Sequence, residues 1–548
     1  MSTTGKINWP VQHGAHDVDT VAVVAAAEAA EDEHSMTVAE AFRRYPKAVF
    51  WAIAMSLTIV MEGYDTILIS SLFAFPSFVE KYGEYYPNLG EKALPGSWQV
   101  ALGNAANCGA FIGLIINGYV TERYGHRKVV MVSLVIMSAL IFITFFAPTV
   151  EVLLVGQLLV GIPWGLFAIM GSAYSSEICP LPLRGYLLSF VNICWVIGQL
   201  IAAGVLQGLT TNTTIWAVRI PCAIQWAWPI PLFLIAMFAP ESPWWLVRQD
   251  RAAEAEGSLR RLSSGLSENH IKQRVTMMIH TNELEKVLQT ESSYWDCFKG
   301  TNLRRTEIAC MTLCSQTLPG QAMCYSASYF FVQAGLSSDD AYKLNFGSMG
   351  LAFVATCLSW GLMTFFGRRL LLITGLCLLT VDLLVIGSIS YVVSDGAKWA
   401  QSALAMVWLA IYSATIGPQS FTLAAEVSAT RLRSQTISLA RNAYIVVNVI
   451  DNTIQPYLIN PTEANLKGKA AFFWFGLAVL TTIWAAFRLP ETKGRTYEEP
   501  DILFEKRISA WRFASTKIDA TLESEAIQTG NQMDKLDSIE HVEQNAQA

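Results

Sequence analysis

Long runs without a single charged side chain restrict this fold more than any other feature. A bilayer's hydrocarbon core is about 30 Å thick, takes about 20 apolar residues per helix and penalises ionised groups. Nine stretches of at least 18 residues hold no Asp, Glu, Lys or Arg: 93–121, 129–150, 152–176, 185–218, 220–240, 308–338, 344–367, 399–425 and 470–487. Three more apolar stretches carry only isolated charges, 48–79 with Glu62 and Asp65, 370–394 with Asp382, and 434–462 with Arg441 and Asp451. Together these predict an all-α membrane protein of twelve transmembrane helices. Composition agrees, since 15% of the 548 residues are charged against about 25% in soluble proteins. The net charge of −6 is too small and of the wrong sign to suggest a nucleic-acid binder, whose mark is a basic stripe.

The first forty residues hold Glu28, Glu31, Asp32 and Glu33 and no long apolar core, so they do not read as a cleaved signal. Of the ten cysteines, all but Cys297 lie in or beside apolar spans without metal or disulfide spacing, and read as small core residues. Alternate connections are rich in Lys and Arg, among them Arg43, Arg44, Arg123, Arg127, Lys128, Arg368 and Arg369. The positive-inside rule makes that side cytoplasmic, with both termini there. The one long connection divides the chain into a tail (1–45), a six-helix bundle (46–240), a central loop (241–306), a second bundle (307–490) and a second tail (491–548). Short amphipathic helices at the membrane face, or a solvated linker, are the two expectations for the loop. Both tails, roughly 1–40 and 515–548, are polar enough to be left disordered.

An internal repeat supports the division. Gly125-His126-Arg127 recurs as Gly367-Arg368-Arg369, Glu177 with Leu183-Arg184 recurs as Glu426 with Leu432-Arg433, and Pro240-Glu241-Ser242 recurs as Pro490-Glu491-Thr492, at offsets of 242, 249 and 250. Matched halves around a midplane site are a transporter architecture. Glu122, Arg123, Arg127, Glu177, Arg184, Glu426 and Arg433 sit at helix ends, where they can pair and latch the halves in one state, or simply fix topology.

The loop Gly118-x-x-x-Glu122-Arg123-x-Gly125-His126-Arg127-Lys128, the Glu177 to Arg184-Gly185 segment, Pro240-Glu241-Ser242-Pro243-Trp244-Trp245-Leu246 and Pro490-Glu491-Thr492-Lys493-Gly494 resemble the sugar-porter branch of the major facilitator superfamily over about 45–510. Met61-Glu62-Gly63-Tyr64-Asp65, Gly161-Ile162-Pro163-Trp164-Gly165, Arg219-Ile220-Pro221 with Gln225-Trp226, and Leu439-Ala440-Arg441-Asn442 resemble its fungal α-glucoside (maltose) permeases. The resemblance implies two six-helix pseudo-repeats and secondary transport of a sugar, without a cofactor.

A sugar offers hydroxyls and almost no charge, so its site wants neutral donors and acceptors beside an aromatic face. Asn192 and Gln199, seven apart, share one face of the fifth span, and Asn448 is a candidate in the eleventh. In the seventh, Gln316, Gln321 and Tyr325 resemble the substrate-binding Gln cluster of sugar porters. Polar contacts between helices are the competing explanation for each taken singly. Glu62 and Asp65, three apart, share a face of the first span, and such a pair suits proton carriage. The resemblance points the same way, since sugar–proton symporters often carry an acid at the Asp65 position. Two departures stand against it. Gln157 occupies the place where many symporters carry Arg, and Ala110 follows Gly109 where the α-glucoside group usually shows an acid.

Asn212-Thr213-Thr214 is a glycosylation acceptor in a loop expected outside. The expectation is a monomeric plasma-membrane carrier that couples protons to uptake of an α-glucoside such as maltose. A facilitator, a carrier of another polyol or glycosylated metabolite, and a non-transporting sensor remain alternatives. A membrane enzyme would need a large outside domain, and no Gly-x-x-x-x-Gly-Lys-Ser/Thr loop for ATP is present.

Overall fold

The computed structural model describes residues 36–87, 90–264, 266–289, 294–392, 394–429, 432–493, 498–513 and 516, and the fold is almost wholly helical. The first six spans are Pro46–Leu72 (kinked at Leu57), Gly96–Tyr124, His126–Phe146, Val150–Ile178, Leu181–Leu209 and Trp216–Phe238 (loosened over Gln225–Ala227). The second six are the broken helix Gly300–Cys314, Gln321–Tyr325 and Ala327–Gln333, then Ser338–Phe365, Arg368–Ile389, Asp395–Val427 (kinked at Thr415), Arg433–Ile459 and Ala470–Arg488. They are called spans 1 to 12 below. A short antiparallel hairpin, Glu84–Tyr86 with Glu91–Ala93, joins spans 1 and 2.

Among the described residues, ten helices are long and apolar enough to cross a bilayer on those grounds alone, and spans 7 and 11 are the two that are not. Span 7 is interrupted over Ser315–Gly320, where Gly320 adopts φ +92° against the Trp474 side chain. Span 11 carries Asn442, Asn448, Asp451, Asn452 and Gln455. Much of this polarity, including Asn448, Asn452 and Gln455, walls the cavity described below, where polar groups meet water or ligand rather than lipid. Outward faces are apolar, with Val135, Leu358, Val381 and Leu480 all exposed.

Glycines set how closely the spans approach. A Cβ on Gly63 would lie 2.3 Å from the Trp195 carbonyl oxygen, and one on Gly198 would lie 2.0 Å from that of Val60. Spans 1 and 5 therefore touch backbone to backbone, which brings Glu62 beside Trp195. Gly109, Gly113, Gly161 and Gly165 do the same for spans 2 and 4. Overpacking costs about 1–3 kcal/mol even where side chains can yield, and a carbonyl cannot. Gly198→Val is expected to destroy the monodisperse fold in detergent while Gly476→Val, which meets nothing within 4 Å, leaves the melting temperature unchanged. Equal behaviour of the two would refute this account of the packing.

In the central loop, helices Pro243–Arg248, Ala252–Leu262 and Glu268–Gln289 bury Trp245, Leu246, Ala255, Leu259, Ile271 and Val275 against one another. Leu262 enters the core of the first half, and Ser264 N donates to Arg44 O at 2.9 Å. The two tails are more ordered near the bundle than their composition suggests. Helix Val38–Arg44, capped by Thr37, overlaps the first segment left disordered only at its start, and is held because Ala41 and Tyr45 find apolar partners. Helix Glu498–Glu505 buries Leu503 and Phe504 in the second half. Residues 1–35 and 517–548 lie outside the described residues. Cys179, Cys194, Cys222, Cys314 and Cys324 are buried as expected, and Cys297, set apart from the spans, is buried as well, whereas Cys108, Cys357 and Cys377 are exposed on the spans.

Candidate functional site

A cavity of about 260 Å³ lies between the two halves. Its walls include all eight polar residues singled out from sequence: Glu62 and Asp65 on span 1, Asn192 and Gln199 on span 5, Gln316, Gln321 and Tyr325 on span 7, and Asn448 on span 11. Sequence reasoning passed over Asn107, Trp164, Trp195, Tyr412, Tyr444 and Gln455, which also line it. Helical spacing places Tyr444, Asn448 and Gln455 on one face of span 11, a signal that was present in the periodicity. Ala110 and Gln157 line the cavity too, so the two departures from the symporter pattern fall on its wall.

Span 7's interruption presents two amides side by side. The Tyr412 hydroxyl donates to Gln316 Oε1 at 3.2 Å and accepts from Gln321 Nε2 at 3.4 Å. Trp408 stacks on Tyr412 with centroids 5.4 Å apart and planes 8° apart, and Tyr325 meets Tyr412 edge-on. This arrangement leaves Gln316 Nε2, a donor, and Gln321 Oε1, an acceptor, buried without a protein partner. Gln157 Oε1, Trp164 Nε1 and Gln455 Nε2 are likewise unpartnered on the same cavity. Buried polar atoms without partners cost about 1–3 kcal/mol each, so a cluster of them around one hollow marks a place for water or a polyhydroxylated ligand.

Asp65 is 1% exposed; its Oδ1 accepts from Gln225 Nε2 of span 6 at 2.5 Å, and its Oδ2 has no partner. Glu62 lies beside Trp195 and within the field of Arg441, among the described residues the one cation lining the cavity. The Arg441 guanidinium lies 5.1 to 5.9 Å from the ring centres of Tyr444, Phe421 and Trp195. It therefore makes a charged and aromatic bridge across the two halves. Asp382 and Asp451 are also buried with an unpartnered oxygen, but neither lines the cavity.

The halves are joined on the side away from the basic loops. Gln99 Nε2 donates to Tyr329 Oη at 3.2 Å, Asn104 Nδ2 to Thr453 Oγ1 at 3.0 Å, Asn107 Nδ2 to Asn448 Oδ1 at 3.2 Å and Asn460 Nδ2 to Leu94 O at 3.0 Å. Tyr342 donates to Ser71 O there as well. The Asn448 oxygen, which also accepts from Asn452, is thus engaged in holding the halves together.

At the basic ends the repeat is reproduced atom by atom within each half. Glu241 accepts from the N-terminal amide of His126 at 3.0 Å, and Glu491 accepts from that of Arg368 at 2.9 Å. A carboxylate thus answers the positive end of spans 3 and 9 alike. Arg127 donates to Met237 O at 2.5 Å and Arg369 to Ala486 O at 2.8 Å. Ser242 donates to Glu177, which also pairs with Arg248 at 2.5 Å, and Thr492 donates to Glu426 at 2.5 Å. Burial raises the Glu241 carboxyl above its ordinary range, opposed by His126 and by the amides it accepts from. Glu122 and Arg123 are exposed; the Glu122 carbonyl accepts from Trp245 Nε1 at 2.8 Å, and Arg123 reaches Tyr119 at 3.1 Å. Glu122, Arg123, Arg127, Glu177 and Glu426 make all of these contacts within their own half, with the central loop or with the start of the second tail. The side chains of Arg184 and Arg433 lie outside the described residues. Asn212 sits in the loop between spans 5 and 6, its Oδ1 accepting from Thr214 N at 2.9 Å and Thr214 Oγ1 at 2.7 Å.

The sugar (and other) transporter family model matches residues 51–504. The general alpha-glucoside permease of Saccharomyces cerevisiae is 38% identical over 498 residues, covering 90% of this chain and 81% of the relative. Maltose permease MAL31 of the same yeast is 38% identical over 501 residues, again 90% and 81% of the two chains. Among solved structures, the xylose transporter XylE from E. coli in a partially occluded inward open conformation superposes with a TM-score of 0.67 at 20% identity, over 82% of this chain and 100% of that one. With this cavity between two matched bundles and a family model that takes in nearly all the spans, the chain belongs to the sugar porter family of the major facilitator superfamily: it is a multi-pass membrane transporter of sugars, not an enzyme.

Proposed function

We propose that this transporter couples protons to the uptake of a neutral α-glucoside of the maltose class across the plasma membrane, as a monomer with both termini in the cytoplasm. The observation that carries the reading is the composition of the cavity: neutral amides and tyrosines on the second half facing two carboxylates of span 1 on the first, Asp65 buried and Glu62 half-buried. The amides suit sugar hydroxyls, and Glu62 and Asp65 suit a proton. Glu122, Arg123, Arg127, Glu177, Arg184, Glu426 and Arg433 then act at the ends that part and meet as the bundles rock about the site. The similarity to alpha-glucoside and maltose permeases supports the choice of sugar. The test is expression in a yeast lacking sugar transport, with labelled mono- and disaccharides offered at several pH values. Uptake of labelled maltose that rises as the outside is acidified meets the proposal, and uptake indifferent to pH leaves a facilitator, the reading that Ala110 on the cavity wall favours.

The same topology puts Asn212 outside as a glycan acceptor. Asn212→Gln is expected to sharpen and speed the band of the yeast-expressed protein on a gel by the mass of one glycan. Identical mobility before and after glycosidase treatment would remove this assignment.

A further inference from the structure

The interruption that carries Gln316 and Gln321 is held from behind, on the side away from the cavity. Pro319 O accepts from Trp408 Nε1 of span 10 at 3.2 Å, and Gly320 is pressed against Trp474 of span 12. From span 11, Asp451 faces the Thr317 hydroxyl. Asp451 is 3% exposed and does not line the cavity, and its Oδ2 has no partner. Among the described residues no cation pairs with it. The titratable groups that feel it are Cys314, on span 7, and Tyr444, on its own helix. Asp382 is similarly buried, but its neighbour in span 7 is Cys324 rather than a hydroxyl of the interruption.

A threonine hydroxyl has one proton to give. In the present arrangement Thr317 Oγ1 donates to the Cys314 carbonyl at 3.1 Å, closing the end of the first segment of span 7. A protonated Asp451 completes that arrangement by donating its own O–H to Thr317 Oγ1. An ionised Asp451 can only accept, so the Thr317 hydroxyl turns toward it and releases the Cys314 carbonyl. Gln316 is the residue before Thr317, and Gln321 begins the next helical turn. Reversing this one hydrogen bond therefore acts directly on the backbone between the two amides.

We propose that Asp451 is a positioning residue whose protonation sets the hydrogen-bond direction of Thr317, and through it the placement of Gln316 and Gln321 in the sugar cavity. The proton comes from the aqueous side and resides on the carboxyl, and the residue itself does not touch sugar. The inference rests on the reading of this cavity as the sugar site.

The experiment measures KM for maltose in equilibrium exchange, in vesicles of equal pH inside and out, from about pH 5 to 8. The dependence of KM on pH is expected to shrink by about fivefold, the worth of one net hydrogen bond, in Asp451→Asn and equally in Thr317→Val. The double variant should show no further change, and Asp451→Glu should restore the wild-type profile. Thr317→Val keeps the volume of the side chain, so it decides the matter if Asp451→Asn fails to fold. Variants that exchange maltose with the wild-type pH profile overturn this inference alone. Absence of maltose exchange by the wild type overturns the α-glucoside reading and this inference with it.

Discussion

Asp65→Asn is expected to abolish concentrative uptake while leaving exchange of sugar across the membrane intact. Asn keeps an oxygen able to accept the Gln225 amide, which donates to Asp65 at 2.5 Å, so the contact between spans 1 and 6 survives. The ability to take and release a proton does not. One pH unit across the membrane is worth about 1.4 kcal/mol per proton, a factor of about ten in accumulation, and each 100 mV adds about 2.3 kcal/mol per charge. Accumulation in the variant should fall from such levels to equality of inside and outside concentrations. Glu62→Gln is expected to lower it less sharply, since the Asp65 carboxyl remains to take the proton, although Arg441 then loses the Glu62 charge from its field. Labelled sugar retained against a gradient by Asp65→Asn at the wild-type level would take the proton off this residue.

Substitution of Gln316 or Gln321 by Leu should raise the KM for sugar by about ten- to hundredfold, equivalent to ~1.4–2.8 kcal/mol, because each change removes an amide atom that the protein leaves unpartnered for the ligand, Nε2 of Gln316 or Oε1 of Gln321. Maximal rate should change far less. Tyr412→Phe should have a smaller effect in the same direction. Its hydroxyl orients both amides through hydrogen bonds of 3.2 and 3.4 Å, and the ring stacked on Trp408 remains in place. Initial-rate kinetics on vesicles separate the two parameters. A fall in maximal rate at unchanged KM would mean that these amides serve the rocking motion rather than the sugar.

Much of the site was legible because hydrocarbon penalises polar side chains wherever they occur. Asn192, Gln199, Gln316 and Gln321 stand out in apolar runs, and a polar group there has to face the bundle interior. All of them line one cavity. Gln225 and Tyr412 were not legible as site residues. Each acts through a partner far away in the chain, Asp65 for the first and Gln316 with Gln321 for the second. The isolated charges divided in a way that sequence could not order: Arg441 lines the cavity beside Glu62, while Asp451, ten residues further along the same helix, faces the interruption in span 7. The edge of the first tail shows the opposite error, because a polar average conceals the start of helix Val38–Arg44, whose Ala41 docks on the bundle.

The number of spans, their pairing into two matched halves and the polar residues that had to turn inward follow from local stretches of chain, since bilayer thickness, the positive-inside bias and the cost of buried polarity act there. Tertiary structure alone decided which polar atoms meet and which remain unpartnered, where span 7 opens, and on which side the halves are joined. Those depend on the rotation and close approach of helices distant in sequence, set here by backbone contacts at Gly63 and Gly198, and no periodicity within one helix encodes them.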